Sequence, residues 1–294
     1  MENIDSFFVF QTDSNLVKES LNNPNYLIEH SDIDSIYKDN YCAIYFSSNN
    51  IYYPNTKFEF QKQILNKNRF EWYGERIQKA SKHIFIRDNK KQWYLEGINN
   101  DINSIEKLEV FLKSETKGYK TLMIGSSAGG YAAVLFGSLL KSEYIFSFNG
   151  QFKLYDLLKS SNESIDPIIF REKNNPTINQ YFSLKKVINN PSIVYYFYSN
   201  KSSWDITNKK HIENINLNII AFNTSNHGIP FLRSALPFVI NASIEKINSW
   251  NKKTFNPIYF SFKYGGIFSS INVLYKKILV KLKHNFFIFI IFTY

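Results

Sequence analysis

Ser127 sits in the middle of Gly125-Ser126-Ser127-Ala128-Gly129-Gly130, a turn bracketed by glycines. A short apolar run, Thr121 to Ile124, leads into it, and a small-residue helical pattern, Tyr131 to Phe136, leads away. Strand, sharp turn and helix is the context in which G-x-S-x-G presents a serine hydroxyl as a nucleophile at a helix N-terminus. The same residues would also suit a serine that simply caps the helix of an ordinary strand-to-helix unit. A serine hydroxyl is a weak nucleophile at neutral pH unless a neighbouring imidazole takes its proton. The nucleophilic reading therefore requires a histidine.

The chain has five. His30 comes before the first central strand pattern, His83 begins a strand and so lies at the wrong end of a parallel sheet, His211 falls in a polar helical pattern, and His284 is in a basic stretch. Only His227 follows a strong strand, Leu217 to Phe222, in the loop at its carboxyl end, where open α/β sheets gather their reacting groups. The imidazole needs a carboxylate to hold its tautomer and stabilise its charged form. Asp205 follows the preceding strand pattern, Ile193 to Tyr198. Asp156, Asp166 and Glu213 are placed less well, and Asp205 could instead cap the helix that follows it. The chain order is thus Ser127, Asp205, His227, the order of the α/β-hydrolase architecture. An oxyanion hole needs two converging N–H donors. Ala128, next after the nucleophile, is the first expected donor. Ser48, after the Tyr41–Phe46 run, is the second, with Ser47 and Asn49 beside it.

The elements that must position these groups are legible as apolar runs. Phe7–Phe10, Tyr26–Glu29, Tyr41–Phe46, His83–Ile86, Thr121–Ile124, Tyr144–Phe148, Ile193–Tyr198 and Leu217–Phe222 read as strands. Helical patterns fall between them, around Trp72–Ala80, after Ser104, at Thr207–Ile215 and over 231–250. Alternation of this kind predicts an α/β fold: a mostly parallel central sheet with helices on both faces. The polar stretch 151–190, with Pro167 and Pro176, is expected to form a small cap insertion. Residues 1–251 are read as one catalytic domain, followed by a basic and aromatic tail, 252–294.

Composition narrows the partners. The 294 residues carry a formal net charge of +10, which favours anionic ligands. No basic block interleaved with aromatics matches a nucleic-acid motif, so nucleic acid is not expected. Cys42 is the only cysteine, ruling out an internal disulfide and a cysteine metal site. No H-E-x-x-H pattern, G-x-G-x-x-G pattern or Walker loop is present, so neither a catalytic metal nor a nucleotide fold is expected. The opening residues, MENIDSFFVFQTD, do not read as a signal peptide, and no apolar run reaches the ~18 residues of a membrane span. Asn272 to Tyr294 combines four lysines with a seven-residue apolar run. It suits either peripheral contact with an anionic membrane surface or packing on the body.

The run Gly125 to Ala133, with Phe136-Gly137, resembles the serine-dependent O-acetyltransferases of bacterial capsule loci and the accessory-secretion glycoprotein acetyltransferases. Phe85-Ile86-Arg87-Asp88, Trp93-Tyr94, Gly97 and Asn226-His227-Gly228 add to the likeness. The resemblance implies an α/β-hydrolase fold with Ser127 as nucleophile, Asp205 as acid and His227 as base. It further implies acetyl-CoA as co-substrate, with no tightly bound cofactor, and a sugar hydroxyl of a capsular or surface polysaccharide as acceptor. The expected location is cytoplasmic, peripheral to the inner membrane. An esterase or deacetylase using the same three residues, and a non-catalytic scaffold of this fold, are the alternatives.

Overall fold

The computed structural model describes residues 14–31, 40–276 and 278–279. Its centre is one eight-stranded sheet built from β1 (Tyr26–His30), β2 (Tyr41–Phe46), β3 (Ala80–Ile86), β4 (Lys120–Ser126), β5 (Tyr144–Phe148), β6 (Val194–Ser199), β7 (Asn218–Phe222) and β8 (Thr254–Phe255). The strand order is β1-β3-β2-β4-β5-β6-β7-β8, and among the described strands only β1 runs antiparallel to its neighbour. The order β3-β2-β4 reverses beside the strand that leads into Ser127, which places a crevice at the carboxyl ends there. This is the α/β-hydrolase architecture.

The side-chain alternation of each strand sorts the core into two layers. Cys42, Ile44, Met123, Ile145 and Tyr196 face one side, where helices α1 (Ile105–Glu115) and α2 (Ala128–Leu139) cover them. Ala43, Tyr45, Leu122, Ile124, Phe146 and Phe197 face the other, against α4 (Leu236–Asn241) and Trp250. Helix α3 (Ser203–His211) follows β6. The central strands are buried on both faces, which is why they read as continuous apolar runs.

Two expectations change. The helix expected around Trp72–Ala80 does not form: Glu75 N–H closes a turn onto Trp72 O, Trp72 takes φ +69°, and β3 already begins at Ala80. The indole explains it, because Trp72 Nε1 donates to Phe46 O at 3.0 Å and fastens this segment to the end of β2. The body also continues past residue 251, where the sequence reading ended it. Thr254–Phe255 adds β8 to the sheet edge, and Phe260 of α5 (Pro257–Gly265) is buried against Trp250 and Phe222. Residues 151–190 form short helices, Leu157–Ser160, Pro167–Glu172 and Pro176–Asn179, whose Ile168 and Ile169 join the core beside α2. The expected strand Phe7–Phe10, His284 and the tail from residue 280 lie outside the described residues.

Candidate active site

β4 ends at Ser126, and Ser127 takes φ +53° and ψ −123° before α2 begins at Ala128. A β-carbon in that backbone region is strained, at a cost of order 1–3 kcal/mol, and persists there only because its surroundings hold it. Ser127 N–H is fastened to Phe148 O at 2.9 Å and its carbonyl accepts from Tyr131 N–H at 3.0 Å. The flanking glycines are required by close approach. A β-carbon on Gly129 would lie 2.2 Å from Phe46 O, and one on Gly125 would lie 2.1 Å from Gly129 O. Ser127 makes no side-chain cap bond to α2, so its hydroxyl is left for other partners.

The structure brings together the three residues that sequence reasoning selected. Ser127 Oγ lies 2.8 Å from His227 Nε2, and His227 Nδ1 lies 2.9 Å from Asp205 Oδ1. Asp205 is fully buried, while the His227 side chain is 37% exposed. A carboxylate can only accept, so the imidazole proton sits on Nδ1 and Nε2 is left to accept from the serine hydroxyl. The capping role that competed for Asp205 falls to Ser202, whose Oγ accepts from Asp205 N–H at 3.3 Å at the start of α3. The loop carrying His227 is held by Asn149, fully buried at the end of β5. Its Nδ2 is 2.8 Å from Gly228 O and 2.9 Å from Ser199 Oγ, and its Oδ1 accepts from Ser199 N–H at 2.8 Å. Trp204 flanks the imidazole edge-on, 6.4 Å between ring centres. The other described histidines are elsewhere. His83 is buried in β3 with Nδ1 3.0 Å from Tyr45 Oη, and burial lowers its pKa to about 4. His211 meets Ser183 Oγ.

Ala128 opens α2, where the first N–H groups have no intrahelical acceptor and the helix dipole favours negative charge. Ser48 is differently engaged. Its N–H donates to Glu71 Oε2 at 2.6 Å and its hydroxyl to Glu71 Oε1 at 3.1 Å. A bond to a carboxylate is roughly twice as strong as a neutral one. Ser48 N–H can therefore serve an oxyanion only after Glu71 releases it. Glu71 lies on the wall of a cavity of about 420 Å³ that also touches Ser48, Arg69, Trp72, His227 and Arg233. That wall comes from residues 69–74, not from 151–190. A second cavity, about 460 Å³, opens beside Tyr144, Tyr195 and Asn218, near the amino ends of their strands and away from Ser127.

Burial raises the Glu71 carboxyl above its ordinary 4.5, outweighing the bonds from Ser48 and the nearby Arg69 and Arg233 charges. The folded chain thus holds this proton more tightly than the unfolded chain. Stability contributed by Glu71 is present below pH 4.5 and is lost as pH rises from there through the raised folded value. Glu71→Gln removes that dependence. Its melting temperature relative to the parent should rise as the pH is taken upward from 4.5, as measured by thermal unfolding across a pH series.

Gln151 is a member of the site that sequence reasoning missed. Its Nε2 donates to Ser127 Oγ at 3.2 Å and lies 3.5 Å from His227 Nε2. Trp93 Nε1 donates to Gln151 Oε1 at 3.1 Å, which fixes the amide with its NH₂ toward the serine. The available signals were the Asn149-Gly150 strand end and the Trp93-Tyr94 pair, but nothing local joins positions 93 and 151. Gln151→Ala removes one neutral hydrogen bond to Ser127 Oγ, worth about 1 kcal/mol, so kcat should fall about fivefold if Ser127 carries the reaction. KM should change little, and steady-state kinetics on a small ester separates the two.

No family model matches the chain, and no curated protein does. Solved structures similar to it include a capsule O-acetyltransferase of Neisseria meningitidis serogroup A, at 13% identity and TM-score 0.40, covering 67% of this chain and 82% of that one. The Glycosylation Associate Protein (Gap123) complex from Streptococcus agalactiae is similar at 14% identity and TM-score 0.43, over 67% of this chain and 39% of that one. An S-formylglutathione hydrolase from Agrobacterium tumefaciens is similar at 10% identity and TM-score 0.39, over 67% and 84%.

Proposed function

We propose that the chain is a serine-dependent O-acyltransferase. It moves acetyl from acetyl-CoA through an acyl-Ser127 intermediate to a sugar hydroxyl of a bacterial capsular or surface polysaccharide. The observation that carries the reading is the Ser127–His227 contact of 2.8 Å backed by buried Asp205. His227 Nε2 takes the hydroxyl proton as Ser127 Oγ attacks the thioester carbonyl, and Ala128 N–H faces the oxyanion. Collapse expels the CoA thiolate, which leaves with the proton held on His227. A sugar hydroxyl then passes its proton to His227 and attacks the acyl-serine, forming the new ester and restoring Ser127. The resemblance of the Gly125–Gly137 run to capsule acetyltransferases supports the choice of donor and acceptor, and the +10 net charge suits CoA phosphates and an acidic glycan.

Hydrolysis is the second reading, favoured by the 37% exposure of the His227 side chain, which lets water stand where the sugar hydroxyl would. One experiment addresses both. Incubation with acetyl-CoA should give an acetyl adduct on Ser127 by intact mass, absent in Ser127→Ala. CoA release that depends on added polysaccharide identifies transfer, whereas equal release without it identifies an esterase. No adduct and no CoA release under either condition would rule out the acetyl-CoA reading.

A further inference from the structure

The last described helix is α6 (267–276), residues 278–279 are also helical, and among the described residues it is seated by one face only. Ser270, fully buried, donates from Oγ to Ser261 O at 3.0 Å, and its Oγ lies 2.9 Å from Ser234 Oγ. The face turned the other way is apolar. Ile267, Phe268, Ile271, Tyr275, Ile278 and Leu279 are all exposed, Phe268 at 89% and Tyr275 at 61%. At 3.6 residues per turn these positions fall within an arc of about 120°. Ile258 and Tyr259 of α5 are exposed as well. An apolar stripe of this extent marks an interaction surface.

The charge around it selects the partner. No Asp or Glu follows Glu245, whereas eight lysines do. Lys252, Lys253, Lys263 and Lys276 are exposed on the described part of this region. A second copy of the chain would bring like charge to like, since each carries +10. An apolar helical face among lysines is suited instead to the headgroup boundary of a bilayer bearing anionic lipid. We propose that the exposed face formed by residues 267–276 and 278–279 docks the protein on an anionic membrane surface, with the helix lying in the interface plane. Ser234, which anchors the helix, is next to Arg233 on the wall of the catalytic cavity, so docking and the site share one turn of chain.

The test is co-sedimentation of the full chain with vesicles of phosphatidylcholine and phosphatidylglycerol, against phosphatidylcholine alone. Binding is expected to the anionic vesicles only. It should weaken when ionic strength rises from ~0.1 to ~1 M, as the Debye length shortens from about 10 to about 3 Å. Phe268→Glu with Ile271→Glu should lower vesicle affinity at least about tenfold. Phe268→Ala with Ile271→Ala removes apolar area without adding charge and should lower it less. Both variants should keep the parent's melting temperature and its Ser127-dependent ester hydrolysis. Equal binding to both vesicle types, no binding to either, or unchanged binding by the glutamate variant would overturn the proposal. So would a dimer in analytical ultracentrifugation that the glutamate variant dissociates.

Discussion

Ser127→Ala is expected to lose turnover of an acyl thioester or chromogenic ester by a factor of roughly 10⁵, leaving only what the helix N-terminus and the cavity supply without a nucleophile. The size follows from the chemistry. Ser127 Oγ is the atom that His227 Nε2 contacts at 2.8 Å and toward which Gln151 Nε2 points from 3.2 Å. Removing it leaves the base with no proton to take. The fold should persist, because the main-chain bonds from Ser127 N–H to Phe148 O and from Tyr131 N–H to Ser127 O do not involve the hydroxyl. Ser127→Gly makes a sharper companion. At φ +53° a β-carbon is strained and glycine is not, so the glycine variant should be as inactive as alanine yet more stable by about 1 kcal/mol. Kinetics and thermal unfolding on the same preparations check both halves. A Ser127→Ala protein that kept most of its activity would refer the chemistry to another residue.

Asp205→Asn is expected to lower kcat by about 10³–10⁴-fold with little change in melting temperature. The carboxylate accepts from His227 Nδ1 at 2.9 Å and so leaves Nε2 without a proton, ready to accept from Ser127. An amide can turn its NH₂ to Nδ1, which moves the imidazole proton to Nε2, and the base is then blocked on the serine side. The competing capping role makes the opposite forecast. Asparagine caps helices as well as aspartate does, so a purely capping Asp205 would tolerate this change with activity intact. The structure assigns the cap to Ser202. Ser202→Ala should therefore cost about 1 kcal/mol of stability while leaving kcat within a small factor. Measuring kcat and melting temperature for both variants separates the two roles.

How much of this was legible beforehand follows the range of the interactions. The elbow is local: lead-in strand, glycines and helix lie within Lys120–Leu139, and each glycine answers a contact below 3 Å that any β-carbon would make. β2 and β5 coincide with their apolar runs because a strand covered on both faces must be apolar throughout. Parallel topology then put the loops after β6 and β7 at the same end as the elbow, which made Asp205 and His227 legible. Trp72 escaped because its backbone is set by an indole bond to Phe46 O, 26 residues away. The segment after residue 251 read as a tail because β8 is two residues long and carries no pattern of its own.

The sequence by itself determined the strand-turn-helix at Ser127, the parallel sheet around it and the chain order of Ser127, Asp205 and His227 at its strand ends, since these follow from local sterics and from hydrophobic periodicity. Only the tertiary structure decided that Ser202 rather than Asp205 caps α3, that Gln151 is aimed at Ser127 Oγ by Trp93, and that Glu71 holds Ser48 N–H. The last two depend on residues 58 and 23 positions apart meeting at loops. A loop's path is set by what it packs on, and neither periodicity nor spacing encodes that partner.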